Sequence, residues 1–168
     1  MKQIRFRDDI LPLKDKLFRL ALRITLNPAE AEDVVQETMM KVWSRRDNWD
    51  TIENIEAFCL SICRNLAIDK TRYASSQTLS LEVEMEPSDD SHHANPEEMT
   101  VQRDRVRLVR QLIDQLPEKQ RSCMQLREIE GKSYKDIAAI LDITEEQVKV
   151  NIFRARQAIR ERFKRMET

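Results

Sequence analysis

The amino-acid sequence predicts an all-α protein made of two helical domains. The chain has one glycine and five prolines among 168 residues, so few positions interrupt a helix or favour a tight turn. Apolar residues recur at steps of three and four through most of the chain, which is the period of an amphipathic helix. Runs typical of β-strands are few. The length suits one domain or two small ones.

Charge divides the chain into three parts. The net charge is −1, but residues 77–100 contain seven acidic residues and no lysine or arginine. This stretch is rich in serine, aspartate, glutamate and histidine, a composition that cannot bury enough apolar area to fold alone. We therefore expect a helical domain in residues 1–76, a flexible acidic linker in residues 77–95 and a second helical domain in residues 96–168.

Two helices are predicted at the start of the first domain, in residues 9–25 and from Pro28 to about Arg46. Asn27 can cap the second helix, and Pro28 suits its first position. Their apolar stripes are Ile10, Leu13, Leu17, Leu20, Ala21 and Ile24 in the first, and Ala31, Val34, Val35, Thr38, Met39 and Val42 in the second. Asp33, Gln36 and Glu37 lie on another face of the second helix, which the residues alone identify only as solvated surface.

A loop in residues 44–54 precedes a third helix in residues 55–73. The core stripe of this helix is Ile55, Phe58, Cys59, Ile62 and Leu66. Its outer positions are basic and polar, and they are Arg64, Asn65, Lys70 and Arg72. A loop with Asn48 and Trp49 beside such a helix could hold single-stranded nucleic acid, because bases stack on aromatic rings while cations follow the backbone. Trp49 is equally well explained as a core residue, and both alternatives stay open.

The linker and the start of the second domain carry weaker patterns. Residues 78–86 alternate apolar and polar side chains, which we interpret as an extended segment that docks in a groove. Asn95 and Pro96 repeat the cap and proline start of a helix. The predicted core stripe that follows is Met99, Gln102, Val106, Val109, Ile113 and Leu116. Pro117 then opens another helix, which Gly131 closes in a left-handed cap position.

Residues 133–141 and 144–164 have the pattern of a helix-turn-helix. Ser133 can cap the first helix, with Asp136 three residues later. Thr144 and Gln147 repeat that spacing at the start of the second helix. Only two residues separate the helices, which requires a tight bend. The second helix of such a pair enters the major groove of DNA.

The second helix of this pair has one apolar stripe and one basic side. The stripe, which must face a core, is Val148, Ile152, Ala155, Ile159 and Phe163. Between Lys149 and Arg165 there are seven basic residues and one acidic residue. A solvated basic helix end is the alternative explanation. We favour DNA, because Val150 and Phe153 point away from the stripe and an apolar group on an outward face can contact a thymine methyl.

The sequence argues against several other classes of protein. Cys59, Cys63 and Cys123 are predicted to be free buried thiols, and no residues are spaced to complete a metal site. There is no nucleophile–base pairing and no glycine-rich phosphate loop, so neither an enzyme nor a cofactor or small-molecule substrate is expected. No apolar run is long enough to cross a membrane, and the charged first residues do not resemble a signal peptide. We therefore expect a cytoplasmic protein.

Motifs across nearly the whole chain resemble the extracytoplasmic-function (ECF) sigma factors of bacteria. Residues 27–38 (NPAEAEDVVQET) and 63–69 (CRNLAID) are similar to region two of that family. Residues 116–121 (LPEKQR), 134–138 (YKDIA) and 152–156 (IFRAR) are similar to region four. The chain departs from the family at Val150 and Asn151, where small polar and basic residues are common, so the base preference of this helix should differ from that of other members.

The resemblance implies a promoter-specificity subunit of RNA polymerase, with roles for particular residues. Asp33, Gln36 and Glu37 would bind core RNA polymerase, which replaces their interpretation as plain surface. The residues implied for the minus-ten element of promoter DNA are Asn48, Trp49, Arg64, Asn65, Lys70 and Arg72. Those implied for the minus-thirty-five element are Lys149, Val150, Asn151, Phe153, Arg154 and Arg156.

The resemblance also implies an anti-sigma factor as a partner, since sigma factors of this class are commonly held inactive until a signal arrives. A stand-alone helix-turn-helix regulator is the alternative function. Such a regulator would need only the second domain and usually a dimer interface. It would leave the first domain and the acidic linker without a role.

Overall fold

A computed structural model describes residues 3–78 and 100–167, in which the backbone forms helices and no β-strand. The all-α prediction is confirmed. The α-helices are α1 (Lys14–Thr25), α2 (Pro28–Ser44), α3 (Ile55–Thr78), α4 (Thr100–Asp114), α5 (Glu118–Met124), α6 (Tyr134–Leu141) and α7 (Glu145–Glu167). The linker predicted for residues 77–95 lies outside the described residues beyond Thr78, and so do the extended segment predicted in residues 78–86 and the cap predicted at Asn95 and Pro96.

The N-lobe, residues 3–78, is a bundle in which α1, α2 and α3 pack against one another. The helix predicted from residue 9 is less regular than expected, because a π-turn (Phe6–Ile10) and a 3₁₀ turn (Leu11–Leu13) precede α1. Pro12 accounts for this, since it lacks an N–H and cannot sit inside a regular α-helix. The Asn27 cap is confirmed, as its Oδ1 accepts a hydrogen bond from the Glu30 N–H at 3.2 Å.

Helix α3 is longer and more deeply buried than the sequence predicts. It continues five residues beyond Tyr73 to Thr78, because no glycine or proline stops it. The predicted stripe includes Cys59 and Leu66, which are buried, but Leu60, Cys63 and Ala67 are buried as well. The extra burial follows from its position, since α1, α2 and α6 all pack on this helix.

The C-lobe, residues 100–167, is built from α4, α5, α6 and α7. Gly131 adopts φ +68°, as its predicted capping role requires. The stripe predicted for α4 is wrong at Val106, which is 52% exposed. Helix α4 packs on α5 and α7, and its apolar contacts lie toward its C-terminal end, where Leu112 and Ile113 are buried.

The two lobes pack against each other. Helix α1 of the N-lobe contacts α5 of the C-lobe, and α3 contacts α6. Buried residues of both lobes form one continuous hydrophobic cluster, which extends from Ile10 to Ala155. Gln36 and Arg154 both remain exposed. The packing of the lobes therefore covers some of the surfaces predicted to bind partners and leaves others open.

Candidate nucleic-acid and protein interfaces

The helix-turn-helix is built from local hydrogen bonds that the sequence predicts. The Ser133 Oγ accepts a hydrogen bond from the Asp136 N–H at 3.1 Å. At the start of α7, Thr144 and Gln147 form a reciprocal capping box, with bonds of 3.1 and 2.9 Å. Asp142 ends α6 in a left-handed conformation, with φ +55°. These bonds fix the angle at which α7 leaves the turn.

The outward side of α7 presents apolar and basic side chains to solvent. Val148, Ile152 and Ala155 are buried, as predicted for the stripe. On the opposite side Val150 is 44% exposed and Phe153 is 66% exposed. Lys149 and Arg154 are exposed beside them. We call the group formed by Lys149, Val150, Phe153 and Arg154 the recognition face.

Two other polar residues predicted on this surface are held by the protein itself. The Asn151 Nδ2 donates to the Gln147 carbonyl oxygen at 2.8 Å, one turn earlier in the helix. The Arg156 guanidinium donates to Glu128, with Nε 3.0 Å from Oε1, and this bond raises the pKa of Arg156. Both side chains therefore have a bonding partner within the C-lobe.

The polar face of α2 is exposed to solvent, and Asp33 on it lies 3.4 Å from Lys70. Asp33, Gln36 and Glu37 are exposed, while Val34 and Val35 between them are buried. The same face continues into two exposed apolar residues that the sequence analysis did not single out as outward. These are Met40, which is 71% exposed, and Trp43, which is 49% exposed. The steps from Glu37 to Met40 and on to Trp43 are each three residues, a spacing that could have identified them.

Trp49 is a core residue in this structure. It is 6% exposed, and its Nε1 donates to the Val42 carbonyl oxygen at 3.0 Å. The Trp43 ring packs edge-on against it, with ring centroids 6.0 Å apart. This burial places the ring in the core of the N-lobe and leaves it unavailable for base stacking in this conformation, while its role at the minus-ten element stays a prediction. It anchors the 3₁₀ turn Arg46–Thr51, on which Asn48 is exposed.

The basic residues of α3 differ in their availability. Asn65 and Arg72 are exposed. Lys70 lies 3.4 Å from the Asp33 carboxylate on α2. Arg64 is only 13% exposed, and it contacts the C-lobe through the Glu118 carboxylate and the Leu141 carbonyl oxygen, each at 3.4 Å. In this conformation, the predicted minus-ten residue Arg64 is therefore covered by the helix-turn-helix.

Two further ion pairs join the two lobes. Arg19 donates two hydrogen bonds to Glu130, at 2.8 and 2.7 Å, and the Glu130 side chain is 2% exposed. Burial alone would raise the pKa of Glu130, but the bonds from Arg19 and Gln125 outweigh it, so this pKa lies below its ordinary value. The Lys132–Glu56 pair, at 2.6 Å, also crosses the interface.

A second cluster of charges lies where α1 and α4 end. Arg23 and Asp114 approach to 2.6 Å, and burial raises the pKa of Asp114 despite this partner. Arg121 donates to the carbonyl oxygens of Asp114, Leu116 and Ile24, so one guanidinium caps the C-terminal ends of helices from both lobes. Burial lowers the pKa of Arg121.

The three cysteines are buried free thiols. Burial raises the thiol pKa to about 12 at Cys59 and Cys63 and to about 11 at Cys123, which suppresses the reactive thiolate. The described residues contain no group of three or more potential metal ligands.

A cavity of about 330 Å³ is lined by Ile4, Asp9, Trp49, Asp50, Ile52, Glu53 and Ile55. None of the helices in the described part is long and apolar enough to cross a membrane.

Comparison with known families matches both lobes. Residues 10–77 match the family described as Sigma-70 region 2, and residues 107–159 match Sigma-70, region 4. The ECF RNA polymerase sigma factor SigW of Bacillus subtilis is 29% identical over 169 aligned positions, which cover 96% of this chain and 90% of SigW. SigL of Mycobacterium tuberculosis is 32% identical, over 86% of this chain and 80% of SigL.

A solved structure has a similar arrangement. The sigma factor RpoE of Bartonella quintana, crystallised with the anti-sigma factor NepR, superimposes with a TM-score of 0.77. It is 26% identical, and the match covers 95% of this chain and 96% of that one. The two family models together with these relatives cover most of the chain. The chain therefore belongs to the family of ECF RNA polymerase sigma factors.

Proposed function

We propose that this protein is an ECF-type sigma factor that binds core RNA polymerase and directs promoter recognition in transcription initiation. The observation that supports this most is the presence, on one chain, of an open polar face on α2 and an open recognition face on α7. A stand-alone regulator would use only the second of these surfaces. The protein would supply no catalytic groups of its own and would act in the cytoplasm.

Each lobe has its own role in this proposal. Residues 1–76 would bind polymerase through Asp33, Gln36 and Glu37, and would hold the minus-ten element through Asn48, Arg64, Asn65, Lys70 and Arg72. Trp49 would position the turn that carries Asn48. Residues 96–168 would hold the minus-thirty-five element through the recognition face, and the acidic residues 77–95 would connect the lobes.

The lobes have to separate for both elements to be bound together. The names of the two elements place them about 25 base pairs apart, which is about 85 Å of duplex at ~3.4 Å per base pair. A compact chain of this length has a radius of gyration of about 15 Å and is about 40 Å across. The arrangement in which the two lobes pack against each other, which we call the closed arrangement, also covers Arg64. It therefore corresponds to a state that precedes promoter binding.

An anti-sigma factor fits this closed state. The similar RpoE structure was crystallised with its anti-sigma factor NepR. A partner that bound both lobes of the present chain would stabilise the closed arrangement by mass action and would keep Arg64 covered.

A run-off transcription assay with core polymerase and genomic fragments tests the proposed function. Core enzyme with the protein should initiate at discrete sites, while core enzyme alone should not. The isolated protein should bind the same fragments weakly, because its DNA-binding residues are divided between two lobes. Tight, sequence-specific binding without polymerase would favour the stand-alone regulator instead.

Gln36→Ala and Glu37→Ala test the polymerase-binding role. Both side chains are exposed on α2, so each change should weaken binding to core polymerase while stability changes by no more than about 0.5 kcal/mol. Glu32→Ala is a matched control, since Glu32 is also exposed on α2 but is not one of the three proposed contacts. A large loss of thermal stability in either variant would assign these residues a structural role.

A further inference from the structure

The recognition face has two apolar side chains at its centre. Val150 and Phe153 are three positions apart in the sequence, so they are neighbours on one side of α7. They are 44% and 66% exposed, while the buried side of the helix is already filled by Val148, Ile152 and Ala155. The two outward side chains are therefore not needed to pack α7 against the C-lobe.

Two of the α7 side chains that could read bases by hydrogen bonding already have a partner within the C-lobe. Asparagine reads adenine with the nitrogen and the oxygen of its side-chain amide together, but the Asn151 Nδ2 also donates to the Gln147 carbonyl oxygen at 2.8 Å. Arginine reads guanine with two donors, but the Arg156 guanidinium is bonded to Glu128. Lys149 and Arg154 remain at the border of the face, where basic side chains contact phosphates.

An apolar pair in the major groove has a specific chemical complement. The C5-methyl group of thymine is the apolar group that bases present there, and aliphatic and aromatic side chains contact it. Three residues of helix rise about 4.5 Å, which is close to the ~3.4 Å spacing of base pairs. The two side chains can therefore reach methyl groups on neighbouring base pairs.

We propose that Val150 and Phe153 select thymine methyl groups in the upstream promoter element, so that this sigma factor reads part of that element by apolar contact rather than by hydrogen bonds. This inference depends on the proposed function, because it requires α7 to lie in the major groove. Lys149 and Arg154 supply affinity through phosphates, and the two apolar residues supply discrimination between thymine and the other bases.

Deoxyuridine provides a direct test, because it differs from thymidine only by the missing methyl group. The probe is the promoter fragment selected by the run-off assay, synthesised with thymidine or with deoxyuridine at single positions of the upstream element. Holoenzyme made with the unaltered protein should bind about fourfold more weakly for each contacted methyl that is removed, the factor expected for one buried methyl-sized group. That penalty should disappear at one position in Phe153→Ala and at a neighbouring position in Val150→Ala.

Further variants separate this readout from other effects. Phe153→Leu should restore most of the penalty, since leucine keeps an apolar contact. Lys149→Ala should weaken binding to both fragments equally. Val106→Ala removes an equally exposed apolar side chain on α4, outside the recognition face, and should leave the penalty unchanged.

Two results would overturn the inference. One is equal affinity of the unaltered holoenzyme for thymidine and deoxyuridine at every position. The other is a penalty that is the same in Phe153→Ala and Val150→Ala as in the unaltered protein, because the methyl would then act through the shape of the DNA. Failure of the proposed function is distinct, since core enzyme with the protein would then bind or transcribe no fragment, even with thymidine throughout.

Discussion

The basic side of α3 and the recognition face of α7 carry similar residues but are exposed to different degrees. Both contain an arginine that the family resemblance assigns to promoter DNA. On α3 that arginine, Arg64, is 13% exposed and lies against Glu118 and the end of α6. On α7, Arg154 is exposed. The difference arises from tertiary packing, because both residues are charged arginines and both lie on α-helices.

The C-lobe is responsible for both situations, through Glu118 of α5 and through the helix-turn-helix. The helix-turn-helix presents α7 to solvent, while the end of its first helix, α6, covers Arg64 through the Leu141 carbonyl oxygen. A cation beside a helix C-terminus interacts favourably with the helix dipole, so this contact is physically reasonable. A movement of the C-lobe away from α3 would expose Arg64 and would free α7 to reach a distant element. Opening of the lobes and readiness to bind DNA are therefore coupled.

Trp49→Ala should have the largest effect, because the N-lobe uses this predicted DNA contact as part of its core. Removing a buried tryptophan costs about 3–5 kcal/mol of unfolding free energy, and the Val42 carbonyl oxygen also loses its donor. Urea unfolding measures the change. Asn48→Ala, at the exposed neighbour, should change stability by about 0.5 kcal/mol or less. Equal stability of the two variants would show that Trp49 is not part of the core.

Glu130→Arg should open the lobes. It places a second cation against Arg19 at a position where the Glu130 side chain is 2% exposed and Arg19 is 44% exposed. Because solvent screens the arginine, we expect a cost of about 1–3 kcal/mol, which shifts the closed–open equilibrium roughly tenfold. Small-angle scattering should record an increase in the radius of gyration, while circular dichroism should record unchanged helicity.

The charge-swapped double variant, Arg19→Glu with Glu130→Arg, is the control for this prediction. It restores opposite charges across the same interface, so it should recover much of the compact state. A radius of gyration that stays low in Glu130→Arg would show that this pair does not hold the lobes together.

The contribution of Glu130 should also depend on pH. Its pKa lies below the ordinary value of 4.5 in the closed arrangement. The carboxylate therefore stabilises that arrangement fully above pH 4.5, and the contribution is lost as the pH falls through the lowered pKa. The difference in compactness between the unaltered protein and Glu130→Gln should shrink in acid. A difference that grew in acid would contradict the lowered pKa.

Features set by neighbouring residues could be predicted from the sequence. The caps at Asn27, Ser133 and Thr144 and the left-handed Gly131 depend on a few adjacent positions, and each prediction is confirmed. The buried part of the α7 stripe was also predictable, because helical period alone determines which side faces the core.

Features set by distant residues could not be predicted. Arg19 and Glu130 are 111 residues apart, and no local pattern indicates that they meet. The sequence alone does not decide the position of Trp49, because its burial depends on where the Val42 carbonyl oxygen lies. Its pattern places Val106 in the core, because helical period does not reveal where a supporting surface ends.

Arg154→Ala and Arg156→Ala should separate exposed from internally bonded arginines on α7. Loss of one phosphate contact lowers the slope of log affinity against log salt by about one. We expect that change for Arg154→Ala and a smaller one for Arg156→Ala, whose guanidinium is bonded to Glu128. Holoenzyme binding to the selected promoter fragment, measured over a series of salt concentrations, gives both slopes. An unchanged slope in Arg154→Ala would show that Arg154 makes no phosphate contact.

The smallest effect concerns Lys70, which shows that a contact within the protein does not always withhold a residue from DNA. Its ammonium group lies 3.4 Å from Asp33, but the Asp33 side chain is 63% exposed, so solvent screens the pair. A double-mutant cycle with Lys70→Ala and Asp33→Ala should give a coupling of about 0.5 kcal/mol or less in urea unfolding. Such a weak pair leaves Lys70 available to a phosphate without any movement of the lobes, in contrast to Arg64. A coupling above about 1 kcal/mol would place Lys70 with Arg64, among the residues that must be released before they can bind DNA.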